Sequence, residues 1–376
     1  MNRIFCFFLL LLTSSALAQA PKPESRVPAD QKPAIDATTV QDEIPAKTLE
    51  FKIQETDAGL PVSPVTTLPL QCASDGTLFL DMLKPTDPNQ HTVLSVHGKT
   101  SQTYSPSAIS DLHDIIVLSF FPSDSVVGFL VRASKELPGA PGSGKSPAGI
   151  PWNKYHNYIA EFDRNGSYKE SIELPMTDVL SHFAILPSGE FLVSGYDQLN
   201  STPRLLFFNS SGQVVRNLDL PAARSFAGGN LSYGSSESMM ASSRLLGSVM
   251  FTAYKQDILV WRMGNNDPVL DVGPGGSVRE VPLQLPPGFI FSDMISASDR
   301  WVAHFRSAEI PENSHLNQTD YAYYEIRPQD ASLSAKLKQS GDIPLTISCE
   351  NGGTYLAFKT DKDGKFILVS ANYSGS

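Results

Sequence analysis

Cysteine is scarce: 3 of 376 residues, too few for a small scaffold held together by disulfides. Charge is sparse as well. Only 18% of residues are charged, and 39 acids against 29 bases leave a net charge of −10. That acidity excludes a general nucleic-acid binder. Beyond the N-terminus, no stretch approaches the roughly 18 consecutive apolar residues of a membrane span. Long amphipathic helical periods are missing, and so are G-x-S-x-G, H-E-x-x-H and C-x-x-C, the local signatures of common nucleophile and metal sites. What is present is 41% hydrophobic residues with 26 Gly and 28 Pro. A chain of this length and composition can bury a sizeable core.

The first residues read as an address. Arg3 precedes an apolar run, Ile4 to Leu12, and small residues follow from Ser14 to Ala20. This is the layout of a secretory signal peptide, residues 1–18, with cleavage expected after Ala18. The product is then secreted or periplasmic. Residues 19–45 carry Pro21, Pro23, Pro28, Pro33 and Pro45 with no strand or helix period, the mark of a disordered linker.

From residue 46 onward, β-branched and aromatic runs alternate with Gly, Asp, Asn and Ser turns, which predicts an all-β fold. The runs repeat. FAILPSGEFLVSGYD followed by RLLFFNSSGQVVRNLDLP (183–221) reads strand, turn at Ser188-Gly189, strand, loop, strand, turn at Ser211-Gly212, strand. Four antiparallel strands in this order make one propeller blade. The grammar recurs from LPLQCASDGTLFLDM (68–82) to PLTISCENGGTYLAFK (344–359), and the distance between first and second turns is 22 residues from Gly76 to Gly98 and 23 from Gly189 to Gly212. Six units fit, at about 66–110, 111–175, 176–222, 223–286, 287–340 and 341–376. The last has only three strands, and an uncovered edge invites aggregation. The alternating segment TLEFKIQ, within residues 46–56, is expected to supply its fourth strand and close the ring. A seven-bladed ring and a pair of β-sandwiches are the competing architectures.

These units resemble the six-bladed β-propellers of the NHL and TolB-like kind. The shared motif, an apolar strand, a D/S/N-G turn and a second apolar strand, implies an architecture and no particular activity.

Cys72 and Cys349 remain once the signal peptide is gone. They stand at matching places, four residues before Gly76 and three before Gly352. In a ring they belong to neighbouring units, so a disulfide across the seam is expected; two buried free thiols at equivalent positions is the alternative.

One motif misleads. Gly139 to Ser146 matches G-x-x-x-x-G-K-[ST], yet a phosphate site needs a strand before the glycines and a helix after them. Pro138, Pro141, Pro147 and Pro151 forbid both, so a flexible Gly/Pro loop is expected instead. Long loops at about 133–156 and 307–320 would rise on one face of the ring. Trp152, Tyr155 and His156 end the first and His315, Asn317 and Asp320 end the second, residue types suited to a binding rim. The leading functional reading is therefore a module that binds a protein or small-molecule ligand through this face, as a monomer, without catalysis or cofactor. The alternative is a propeller enzyme, a metal-dependent lactonase, hydrolase or lyase, with His113, Asp114, His182 and Asp342 at the starts of inner strands as cation ligands. No carboxylate pair for acid–base work stands out.

Overall fold

The computed structural model describes residues 46–53, 71–73, 75–84, 87–97, 100–175, 179–197, 202–220, 249–262, 267–297, 300–307, 321–339, 346–360 and 366–373. The signal peptide and linker expected at 1–45, together with His315, Asn317, Asp320 and Asp342, lie outside them. The described residues hold strands and two single-turn 3-10 helices, Pro106–Ala108 and Trp152–Lys154. No helix among them is long and apolar enough to cross a membrane.

After an N-terminal strand β1 (Ala46–Ile53), the strands run in groups of four. The first group is β2 (Gln71–Cys72), β3 (Leu78–Lys84), β4 (Asp87–His97) and β5 (Thr100–Tyr104). The second is β6 (His113–Pro122), β7 (Val126–Ser134), β8 (His156–Asp163) and β9 (Tyr168–Leu174). The third is β10 (Val179–Ile185), β11 (Phe191–Asp197), β12 (Thr202–Phe208) and β13 (Val214–Asp219). The fourth is β14 (Val249–Tyr254), β15 (Asp257–Arg262), β16 (Val269–Val272) and β17 (Val278–Val281). Each group is an antiparallel four-stranded sheet in sequence order, the blade of a β-propeller. Burial falls from the second strand outward: β7 (VVGFLVRAS) is buried on both faces except at Arg132, whereas β13 (VVRNLD) is almost wholly exposed. Sheets stacked face to face demand this, since only the outermost strand meets solvent.

The remaining strands differ from the six separate sheets expected. They are β18 (Phe289–Ala297), β19 (Trp301–Ser307), β20 (Tyr321–Ile326), β21 (Leu333–Gln339), β22 (Thr346–Asn351), β23 (Thr354–Thr360) and β24 (Phe366–Tyr373). Together with β1 they form one eight-stranded sheet, so the sheets number five. The cause is a parallel contact at each edge. Ser296 and Ala297 of β18 pair with Cys349 and Glu350 of β22, and Ala46–Leu49 of β1 pair with Lys336–Gln339 of β21. Within this sheet β1 also runs antiparallel to β24, from Leu49 opposite Tyr373 to Ile53 opposite Val369.

The turns follow one recipe. Gly76, Gly166, Gly189, Gly212 and Gly276 all have φ between +72° and +83°, and each N–H donates to the carbonyl three residues back at 2.9–3.0 Å. This is the type I turn closed by a left-handed residue, which glycine adopts without strain. Gly212 has a second reason to be glycine, because a Cβ there would stand 2.3 Å from the Glu173 carbonyl of the preceding sheet. Arginines reach across in the other direction. Arg216 Nη1 donates to Gly276 O at 3.0 Å, and Arg279 donates to Gln329 O and Pro328 O at 3.1 and 2.8 Å.

Bulges recur as regularly. The first hairpin of the third group, and those of β18–β19 and β22–β23, each shift register by one residue, at Ser181, Ser292 and Ser348. An extra residue bends the strand and raises its twist. Large side chains fill the space between sheets: Phe121, Phe183 and Phe191 in one cluster, Trp261, Phe291 and Trp301 in another. Cys72 and Cys349 are disulfide-bonded with Cα atoms 6.0 Å apart, within the span a disulfide tolerates. They are buried beside Leu78 and Leu80, so the expected bond is present.

Candidate functional site

The longest fully described loop, residues 135–155, joins β7 to β8. Its backbone is internally hydrogen-bonded. Gly139 N donates to Ala148 O (3.0 Å), Ser146 N to Ile150 O (2.8 Å) and Gly149 N to Ser146 O (2.9 Å). Gly149 has φ +78°, and a Cβ on it would collide with Gly139 O at 2.0 Å. Ile150 and Ser146 are buried. The stretch resembling a phosphate loop does none of that motif's work. Lys145 Nζ folds back onto Ala140 O at 3.3 Å, and only the single 3-10 turn Trp152–Lys154 follows.

Tyr155 anchors the loop. Its hydroxyl hydrogen-bonds to Asp114 Oδ2 and lies 2.7 Å from Ser146 Oγ. Asp114 meets it from the start of β6 with φ +50°, a conformation aspartate tolerates better than most residues. Burial, reinforced by the hydrogen bond to Asp114, pushes the Tyr155 hydroxyl's pKa up. The structure thus joins a residue expected on the rim, Tyr155, to one expected among metal ligands, Asp114. Trp152 leans on the Tyr155 ring with centroids 5.4 Å apart and stays 50% exposed. His156 is exposed and points at Glu173, 3.2 Å away, which Lys135 also approaches at 3.4 Å.

Four of the six large apolar side chains exposed among the described residues are Leu137, Trp152, Ile116 and Val179. Leu137 and Trp152 stand on the loop, and Ile116 and Val179 near the starts of β6 and β10. Antiparallel order puts the β7–β8 loop and the starts of both inner strands at one end of the sheets.

Of the four cation-ligand candidates, His113, Asp114 and His182 are among the described residues. Asp114 belongs to Tyr155. Neighbouring Asp111 is taken by Tyr168, whose hydroxyl donates to Asp111 Oδ1 at 2.5 Å and whose pKa is pushed up to about 12 by burial and that bond. His113 is half-buried. His182 follows the Ser181 bulge, its N–H donating to Ser194 Oγ (3.0 Å) and its carbonyl accepting from the same hydroxyl (3.1 Å). Its Nδ1 is buried without a partner, and burial lowers its pKa to about 4, so the ring is neutral at pH 7. No group of three His, Cys, Asp or Glu able to hold a metal exists among the described residues.

Three features had no signal in the sequence. Asp81 and His91 form a buried pair at 3.0 Å. Asp293 holds His304 Nδ1 at 2.9 Å, with the ring stacked on Tyr321 and Tyr323. Arg262 is buried at the end of β15. In all three a polar residue interrupts an apolar strand, but the partner of Asp81 is 10 residues away and that of Asp293 is 11, so neither pair shows as a compact motif. A cavity of about 440 Å³ lies at the other end of the sheets. It is bounded by the turns at Asp124, Gly189 and Lys255 with Phe121 and Phe191 beneath. Asp257 in its wall has its carboxyl pKa raised by burial and by the nearby Asp271 charge.

No protein-family profile matches the chain, and no curated protein does. Solved structures do match. A Bacteroides caccae protein of unknown function is 11% identical with a TM-score of 0.36, over 73% of this chain and 80% of that one. Virginiamycin B lyase from Staphylococcus aureus is 13% identical with a TM-score of 0.42, over 85% and 88%. The Pan2 WD40 domain of Neurospora crassa is 12% identical with a TM-score of 0.40, over 86% and 94%. Likeness at these levels carries no activity to this chain, and the assignment as a β-propeller rests on its own four-stranded antiparallel blades.

Proposed function

We propose that this chain is a secreted or periplasmic six-bladed propeller that binds a protein or ligand through its long-loop face. Two observations support reading the eight-stranded sheet as two blades. Its antiparallel connections divide it into β18–β21 and β22–β24 with β1. The innermost strands also touch their neighbours in order, β2, β6, β10, β14, β18, β22 and back to β2. The signal-peptide layout of residues 1–18 and a disulfide suited to an oxidising compartment support export.

The observation that carries the binding reading is the anchored loop. Tyr155, Ser146 and Ile150 hold it from beneath, and it holds Leu137 and Trp152 in solvent, 74% and 50% exposed. Exposed aromatic and aliphatic side chains on a fixed scaffold suit a recognition surface. The test compares proteins captured after in-cell crosslinking by the native chain, by the Leu137→Ser/Trp152→Ala pair, and by a control changed at the exposed outer-strand residues Val214 and Val215. A partner of this face is lost with the first pair, by tenfold or more as is usual for an aromatic hot spot, and kept by the control. Capture indifferent to Leu137 and Trp152 but abolished by Asp124→Ala would move the binding face to the cavity at the opposite end.

A further inference from the structure

We propose that the cavity of about 440 Å³, at the end of the sheets away from loop 135–155, binds a linear aliphatic diamine with one ammonium group at each of two acidic walls. Its volume falls in the range of small-molecule pockets. The first wall is β8 and β9, where Glu161 and Glu170 stand directly opposite each other in register. Like charges paired in this way repel. Lys169 approaches Glu161 alone, its Nζ 3.5 Å from Oε2, so the pair stays one cation short. The second wall is the turn from β14 to β15, which carries Asp257. Its carboxyl accepts no hydrogen bond among the described residues and feels the repulsion of Asp271. Lys255 and Arg279 offset part of that repulsion, but both cations are engaged elsewhere. The Lys255 ammonium lies over the Tyr254 ring, 5.1 Å from its centroid, and Arg279 Nη2 donates to Asp271 Oδ2 at 2.6 Å.

Between the walls the cavity is apolar. Strand β10 packs against both β6 and β14, so the third sheet separates the two acidic walls. Its Ile185, Leu186 and Phe191 line the cavity together with Ile172 and Ile258. In all, four carboxylates and two ammonium groups face the space. An anion meets this negative lining and is repelled. An alcohol leaves both walls without a cation, and a monoamine answers only one of them. A diamine answers both and lays its methylenes on the isoleucines, where burying each one is favourable. The site shares no residue with the loop face.

The probes are 1,4-diaminobutane, 1,6-diaminohexane and 1,8-diaminooctane, with hexylamine and 1,6-hexanediol as controls. Each is titrated at constant ionic strength into the full chain carrying labelled Ile methyl groups. Saturable shifts of the Ile172, Ile185 and Ile258 methyls are expected with the diamine whose length matches the span. Its affinity should exceed that of hexylamine by about tenfold or more, and hexanediol should leave the methyls still. Asp257→Asn should weaken this diamine about tenfold, the loss expected when a charge-assisted hydrogen bond disappears. Should that variant misfold, Glu161→Gln makes the same test from the opposite wall. Asp219→Asn removes a carboxylate outside the cavity, 68% exposed on β13, and should change nothing. Hexylamine binding as tightly as every diamine would overturn the proposal, because one wall would then suffice. So would undiminished diamine binding in both cavity variants, or an equal loss in Asp219→Asn, which would mean diffuse attraction to an acidic chain. The absence of any saturable shift would overturn it as well.

Discussion

At the scale of single residues, burial without a partner is the informative state, and His182 shows its consequence for stability. Its folded pKa, about 4, lies below the usual value of 6.5 because burial penalises the charged ring. Between those two values the unfolded chain takes up a proton that the folded chain refuses. Stability is therefore full above pH 6.5 and falls as the pH drops toward 4. At about 1.4 kcal/mol per pKa unit, the difference between 6.5 and about 4 amounts to roughly 3 kcal/mol for this one group. Urea denaturation at pH 7 and pH 4.5 should show that loss in the native chain and a smaller one in His182→Gln. An identical pH dependence in the two proteins would mean that His182 is not held neutral. Tyr155 illustrates the opposite case. It is buried too, but its hydroxyl finds Asp114 and Ser146, and the result is an anchored loop instead of a penalty.

At the scale of the element, the turn glycines tie each blade to its neighbour. Gly212→Ala places a methyl group on the Glu173 carbonyl of β9 and forces a left-handed φ of +79° on alanine. A loss of about 1–3 kcal/mol is expected, read from the shift of the denaturation midpoint. Gly189→Ala carries the same backbone cost at φ +82° with nothing within 4 Å of its Cβ. Equal losses at the two positions would show that contact with β9 contributes nothing.

These turns were legible in the sequence because a D/S/N-G pair between alternating apolar runs has one main conformational solution. The four-strand grammar followed from them, as did the matching positions of Cys72 and Cys349. The bulges at Ser181, Ser292 and Ser348 were not legible: a single inserted residue hardly disturbs an apolar pattern, although it decides which way His182 faces. Nor was the merging of β18–β24 with β1 into one sheet, which depends on edge contacts between Ser296 and Cys349, 53 residues apart. For the site, the aromatic cluster at 152–156 was visible as composition. That Trp152 faces solvent while Tyr155 is buried depends on Asp114, 41 residues earlier, and no local pattern contains that.

At the scale of the whole molecule, the question is what joins the first strands to the last. Three different fastenings do so: strand pairing of β1 with β24, a hydrogen bond from Asn351 Nδ2 to Asp75 O at 2.7 Å, and the disulfide, whose cysteines are 277 residues apart. A cross-link across so long a segment acts mainly by restricting the unfolded chain, nominally by about 5 kcal/mol and in practice by about 2–4. Because β1 and Asn351 hold without it, the Cys72→Ser/Cys349→Ser protein should fold and keep its β-sheet circular dichroism. Its denaturation midpoint should drop and become insensitive to reductant, while the native protein treated with reductant moves to meet it. In the folded state the disulfide acts locally on β2 and β22, where its sulfurs sit against Leu78 and Leu80. Amide exchange should therefore rise first at Gln71–Cys72 and Thr346–Asn351 and leave β7 and β11 protected. Uniform acceleration in every blade would mean that the disulfide supports all the blades cooperatively. No change at all would mean that β1 and Asn351 suffice to hold the seam.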